Sequence, residues 1–114
     1  MQDDWETRPL ATFSGLRGVP LLSLSYNSLF PSLRIQKQGI AIRVIRWHDF
    51  AYADIERIEA QRRLGQLLTF VPRRGVRTFS VNFPRASAVA VVSALQQRGA
   101  PLAPTALALL NARS

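Results

Sequence analysis

Few residues in this chain could do chemistry. One histidine, His48, is followed by Asp49. An imidazole titrates near neutrality and is the commonest general base. A lone His between Trp47 and Phe50 nevertheless reads better as a turn residue than as a catalyst. The chain has no cysteine, which excludes disulfides, thiolate nucleophiles and Cys-ligated zinc. A single His falls short of the converging ligands a transition metal needs, so no metal and no cofactor is expected. No G-x-S-x-G elbow, G-x-G-x-x-G turn or Walker A loop occurs. Glu56 and Glu59 could form a carboxylate pair, but they flank Arg57 and read as surface residues. What remains is arginine, whose planar guanidinium grips phosphate or carboxylate with a fixed fork of donors. Arg62, Arg63, Arg73, Arg74 and Arg77 are the candidate anion- or partner-binding residues.

Charge distribution supports that choice. Lys and Arg number 15 against 7 Asp and Glu, a net +8 over 114 residues. Residues 1–59 hold all the acids and an equal number of bases, so they balance. The bases from Arg62 to Arg113 are all arginine and carry the whole excess, with no acid after Glu59. Such a one-sided field favours anionic partners: an acidic protein, membrane phosphates or nucleic acid. The competing reading is a solvated, arginine-rich surface. Residues 1–6 are acidic, unlike a secretory signal. No apolar run reaches the roughly 18 residues of a membrane span. The expected location is therefore the cytoplasm, with peripheral membrane attachment left open.

The elements that must carry these arginines read as mainly β. Pro9, Gly15, Gly18 and Pro20 mark an irregular lead-in with a short strand near Leu10–Ser14. Leu21–Tyr26 reads as a further strand. Leu33 and Ile35 alternate with polar neighbours, and Ile40, Ile42 and Val44 repeat the pattern. Gln38-Gly39 between them is read as a hairpin turn, with Gly39 supplying a positive φ. Ala41, Arg43 and Ile45 fall on the other, at least partly exposed face. His48-Asp49 is read as a second turn, followed by a connection to Asp54 and a strand from Ile55 to Gln61. The spacing of Ile55 and Ile58 suits a helical turn or a bulged strand. Arg62 to Gly65 is a basic turn, Gln66–Val71 a strand, and Pro72 to Gly75 a turn. Val76–Phe83 alternates, with Phe79, Val81 and Phe83 on one face. Pro84 then opens a helix over 85–98, whose Ala88, Val91, Val92 and Leu95 form one apolar stripe. Gly99 is placed as its C-terminal cap, and Pro101 blocks continuation. Residues 104–112 could form a short second helix capped by Thr105.

Short antiparallel strands followed by one amphipathic helix suit a curved sheet with a plugged end. Leu33-Arg34-Ile35-Gln36-Lys37-Gln38-Gly39-Ile40 follows an L-x-I-x-x-x-G-I pattern. Phe50-Ala51-Tyr52-Ala53-Asp54-Ile55-Glu56-Arg57-Ile58 follows aromatic-x-Asp-Ile-x-x-Ile. With the strand ending at Phe83 and the helix ending near Gly99, these segments resemble the bacterial pleckstrin-homology-like (PH-like) domains. The resemblance covers about residues 30–100. It implies a curved antiparallel sheet or partly open barrel of six or seven strands, capped by a C-terminal helix. The corresponding division is a lead-in over 1–30, a core over 31–100 and a tail over 101–114. In this frame Tyr52 and Ile55 anchor the chain as it turns, and Asp54 accepts N–H groups there.

The resemblance also implies a binding module rather than an enzyme. Eukaryotic relatives commonly bind phosphoinositides through a basic loop between the first two strands. Here the arginine pairs sit in later turns. A strand of six residues spans roughly 20 Å, so Arg62-Arg63 and Arg73-Arg74 should mark opposite ends of the sheet. The expected partners are a protein or an anionic lipid surface. The alternatives are nucleic-acid binding, which the arginine excess fits although this chain lacks the aromatic platforms of RNA-recognition modules, and a small basic nuclease using His48 and Arg74. The apolar tail (Leu107, Leu109, Leu110) and the face of Ala41, Ile45 and Trp47 call for either a homo-oligomer or a docked tail.

Overall fold

The computed structural model describes residues 5–7, 9, 11–16, 32–44, 46–62, 66–75 and 77–111. Its strands are β1 (Trp5–Thr7), β2 (Ala11–Leu16), β3 (Ser32–Ile35), β4 (Gly39–Val44), β5 (Arg46–Ala51), β6 (Ile55–Arg62), β7 (Gln66–Pro72) and β8 (Arg77–Phe83). Helix α1 spans Arg85–Gln97 and α2 spans Pro104–Asn111. The strands form two four-stranded sheets, ordered β1-β3-β4-β5 and β2-β8-β7-β6, instead of one sheet of six or seven strands. All named pairings are antiparallel.

Two breaks explain the division. Pro9, which has no N–H to give to a ladder, stands outside the strands between β1 and β2. A 3-10 turn at Tyr52–Asp54 separates β5 from β6. At that second corner the buried Tyr52 donates its hydroxyl to the Gln36 carbonyl at 2.6 Å. Ile55 is fully buried beside it. The expected role of Asp54 is corrected in one respect. Its main-chain carbonyl, not its carboxylate, takes the Arg73 N–H at 2.9 Å. A register shift between Ile55 and Arg57 is the bulge that the Ile55–Ile58 spacing suggested.

The β3–β4 hairpin has the expected alternation, with Leu33, Ile35, Ile40 and Ile42 all buried. Its glycine serves a different purpose from the one expected. Positive φ occurs at Gly75 and Gly99 among the described residues, not at Gly39. Gly39 lies inside β4, opposite Ala51, and a Cβ there would run into the Phe50 carbonyl. Close strand approach, not turn stereochemistry, requires it. Ala41 is also buried, contrary to its expected exposure, and Ile45 lies outside the described residues. So does the strand expected at 21–26. His48 and Asp49 are not a turn. They sit within β5, paired with Ile42 and Ala41 of β4.

The two sheets and α1 enclose one core. Ile58, Phe70 and Phe79 meet across β6, β7 and β8. Ala88, Val91, Val92 and Leu95 of α1 have no exposed surface, so the apolar stripe packs as its spacing required. Thr12 is buried on the core face of β2 and donates its hydroxyl to the Arg43 carbonyl of β4 at 2.6 Å. That bond links the two sheets. Gly99 (φ 78) ends α1, with Gly99 N–H donating to Gln96 O and Ala100 N–H to Leu95 O, each at 3.1 Å. These two bonds are the paired closure of a Schellman cap. Arg98 donates from Nη1 to the Ala94 carbonyl at 2.9 Å, the helix-end contact its charge favours.

The tail docks on its own domain. Ile58 N–H donates to Pro101 O, and Ala103 N–H donates back to Ile58 O, both at 2.9 Å. Thr105 is not the cap expected of it: the helix already begins at Pro104, and the Thr105 hydroxyl accepts the Ala60 N–H at 3.0 Å. The outer edge of β6 is thereby covered, and Ala106 and Leu109 of α2 are buried.

Candidate functional site

Pairing register fixes where the arginines lie. Arg62, at the end of β6, is opposite Gln66 at the start of β7. Pro72, at the end of β7, is opposite Ile55, and Arg73 and Arg74 follow it into the turn. Seven residues of β7 at about 3.3 Å each separate the two groups by roughly 20 Å. The arginine groups therefore stand at opposite ends of the second sheet, as the strand length required. Arg63 lies outside the described residues.

At one end, Arg73, Arg74 and Arg77 are all exposed around the β7–β8 turn. Gly75 (φ 83) permits that turn. Arg73 is held in place by its Nε, which donates to the Ala53 carbonyl at 2.9 Å. The hairpin tip is thus tied to the 3-10 turn. The Arg77 guanidinium lies 5.2 Å from the centre of the Phe79 ring, a cation–π contact.

At the other end, Arg62 has a neighbour that the chain order concealed. Phe83 pairs with Gln66, so α1 begins beside the end of β6. Arg85, in its first turn, joins Arg62 on a groove of about 360 Å³. Hairpin register could have placed Arg85 there, had the β8–Gln66 pairing been read through to the residue after Pro84. Among the described residues no carboxylate pairs with Arg62, Arg74 or Arg85.

Acidic groups are engaged elsewhere. Glu6 accepts from Arg34 Nε at 3.0 Å and from the Ser32 hydroxyl at 2.9 Å. Arg34 also lies over the Trp47 ring at 4.2 Å. Arg57 donates to Glu59 at 2.6 Å and to Glu56 at 2.5 Å. The hydrogen bond that Arg57 donates to Glu59, and then the charge of Glu59, hold the Arg57 proton more firmly than usual. Glu56 and Glu59 thus serve a guanidinium at the surface, as their sequence neighbours suggested, and do not face each other as an acid–base couple.

His48 and Asp49 cannot act as a dyad within β5. Consecutive strand residues point to opposite faces. His48 is half-buried on the inner face, its ring 4.7 Å from that of Phe79. Phe50 meets the same ring at 5.1 Å. Asp49 is exposed. Among the described residues no three His, Asp or Glu side chains gather as metal ligands would.

No family model matches the chain, and no curated protein matches it. It is similar to a solved structure described as "Structure of the Spt16D Pob3N heterodimer", with a TM-score of 0.60 and 10% identity. The similarity covers 90% of this chain and 53% of the other, so this chain spans about half the length of that one. At that identity the likeness concerns the fold alone. It points to a PH-like fold: mainly β, in two antiparallel sheets, with a helix following the last strand.

Proposed function

We infer that this protein is a non-enzymatic binding module of the bacterial PH-like kind, and that it contacts an acidic protein surface through the arginines at the ends of its second sheet. One observation carries the reading. The acids lie in residues 1–59, and Glu6, Glu56 and Glu59 are engaged there with Arg34 and Arg57. Arg62, Arg74 and Arg85 face solvent without a carboxylate among the described residues. A field left uncompensated among the described residues is available to an anionic partner. A protein partner is favoured because the similar solved structure is a heterodimer. A cytoplasmic setting belongs to the same reading. No described helix is long and apolar enough to cross a membrane.

The test compares three probes against the full chain: poly-glutamate, vesicles containing phosphatidylserine, and duplex DNA. The expected result is binding of poly-glutamate that weakens as salt rises and is reduced by Arg73→Glu with Arg74→Glu. Preference for the vesicles or for DNA would replace the acidic protein with a phosphate surface. Cleavage of nucleic acid that disappears in His48→Ala would overturn the non-enzymatic reading.

A further inference from the structure

The groove at the Arg62 end offers more than charge. Its walls come from β6, α1 and α2, three elements fixed to one another by the core and by the docked tail. Ala60, Ala108 and Leu109 give it an apolar lining, beside the polar Gln61 and Gln66, and the exposed Arg62 and Arg85 border it. The Thr105 hydroxyl, also on the groove, is already bonded to the Ala60 N–H.

A ligand that satisfies this surface brings negative charge to two guanidinium groups and apolar atoms to the alanine and leucine lining. A phosphate chain or a lipid headgroup supplies the charge but leaves the apolar lining wet. A polypeptide with a carboxylate next to an aliphatic residue supplies both. At about 360 Å³ the groove is near the lower end of ligand-site volumes and suits side chains rather than a folded domain. We propose that the Arg62–Arg85 groove seats an acidic side chain and an adjoining apolar side chain of a partner polypeptide. This assignment deepens the binding-module reading and rests on it.

The probe is a fluorescein-labelled peptide of alternating Glu and Leu, titrated into the full chain and followed by anisotropy. The unlabelled peptide is added to isotope-labelled protein for amide shift mapping. Shifts should concentrate at Ala60, Thr105, Ala108 and Leu109. Arg62→Gln with Arg85→Gln should weaken binding about tenfold, and an alternating Gln–Leu peptide should bind far less well. Both arginines are exposed, so the double variant should keep its fold, and circular dichroism checks this. Unchanged affinity in that variant, or shifts confined to residues 73–77, would overturn the groove assignment while leaving the broader reading intact. Equal displacement by inorganic phosphate would make the groove a phosphate site and overturn the polypeptide. Failure of the wild-type protein to bind peptide, vesicles or DNA would remove both readings.

Discussion

At the scale of single residues, the structure depends on a few contacts that side-chain type alone does not reveal. Thr12 is buried, and its hydroxyl crosses from one sheet to the carbonyl of Arg43 in the other. Thr12→Val keeps the shape but removes the hydrogen bond between the sheets. It should cost about 0.5–1.5 kcal/mol in chemical denaturation. Gly39→Ala should cost at least about 2 kcal/mol, because the intruding Cβ meets backbone, which cannot rotate away. Neither position stands out in the sequence. A Thr in a loosely patterned segment and a Gly after Gln38 both resemble ordinary turn chemistry. His48 was misleading for a related reason. The pair His48-Asp49 carries turn-forming composition, whereas burial against Phe79 and pairing with β4 hold it in a strand. Tertiary packing overrode local preference there.

At the scale of elements, strong periodicity was legible and sheet membership was not. The β3–β4 hairpin, β8 and α1 follow from alternation or from helical spacing. A strand pattern says which face is apolar, but not which neighbour completes the ladder. Hence β1, three residues rich in polar side chains, and the division into two sheets were not visible. Helix α1 gives two sharp tests. Leu95→Ala leaves a cavity under a fully buried position and should cost about 2–5 kcal/mol. Gly99→Ala forces a side chain into a positive-φ position and should cost about 1 kcal/mol, visible as a lowered thermal midpoint. The tail also belongs to this scale. Removing residues 101–114 would uncover the Ile58 backbone groups and the apolar surface under Ala106 and Leu109. The truncated chain should be less stable and should self-associate in light scattering, because an open strand edge invites pairing. A truncated chain that stays monomeric and equally stable would show that the tail contributes nothing to the fold.

At the scale of the whole molecule, the fold distributes charge rather than collecting it. The sequence alone showed that residues after Glu59 hold only arginine among charged side chains. It also showed, from strand length, that the two arginine pairs lie apart. The position of Arg85 beside Arg62 follows only once Phe83 is paired with Gln66, a register that alternation by itself does not supply. The candidate site was therefore half legible. Arg62 and the Arg73–Arg74 turn could be named from composition and turn signals, while Arg85 depends on the pairing of β8 with β7 and the apolar lining on where α2 docks. Two separated cationic ends suit an extended acidic partner better than a single small anion.

The most direct measurement is the salt dependence of poly-glutamate binding, compared between the wild-type protein and a variant with Arg62, Arg73, Arg74 and Arg85 all changed to Gln. Affinity of the wild type should fall steadily with added salt, and the variant should bind weakly with a shallower dependence. Equal binding by the two proteins, or wild-type binding indifferent to salt, would contradict an arginine-carried contact with an acidic partner.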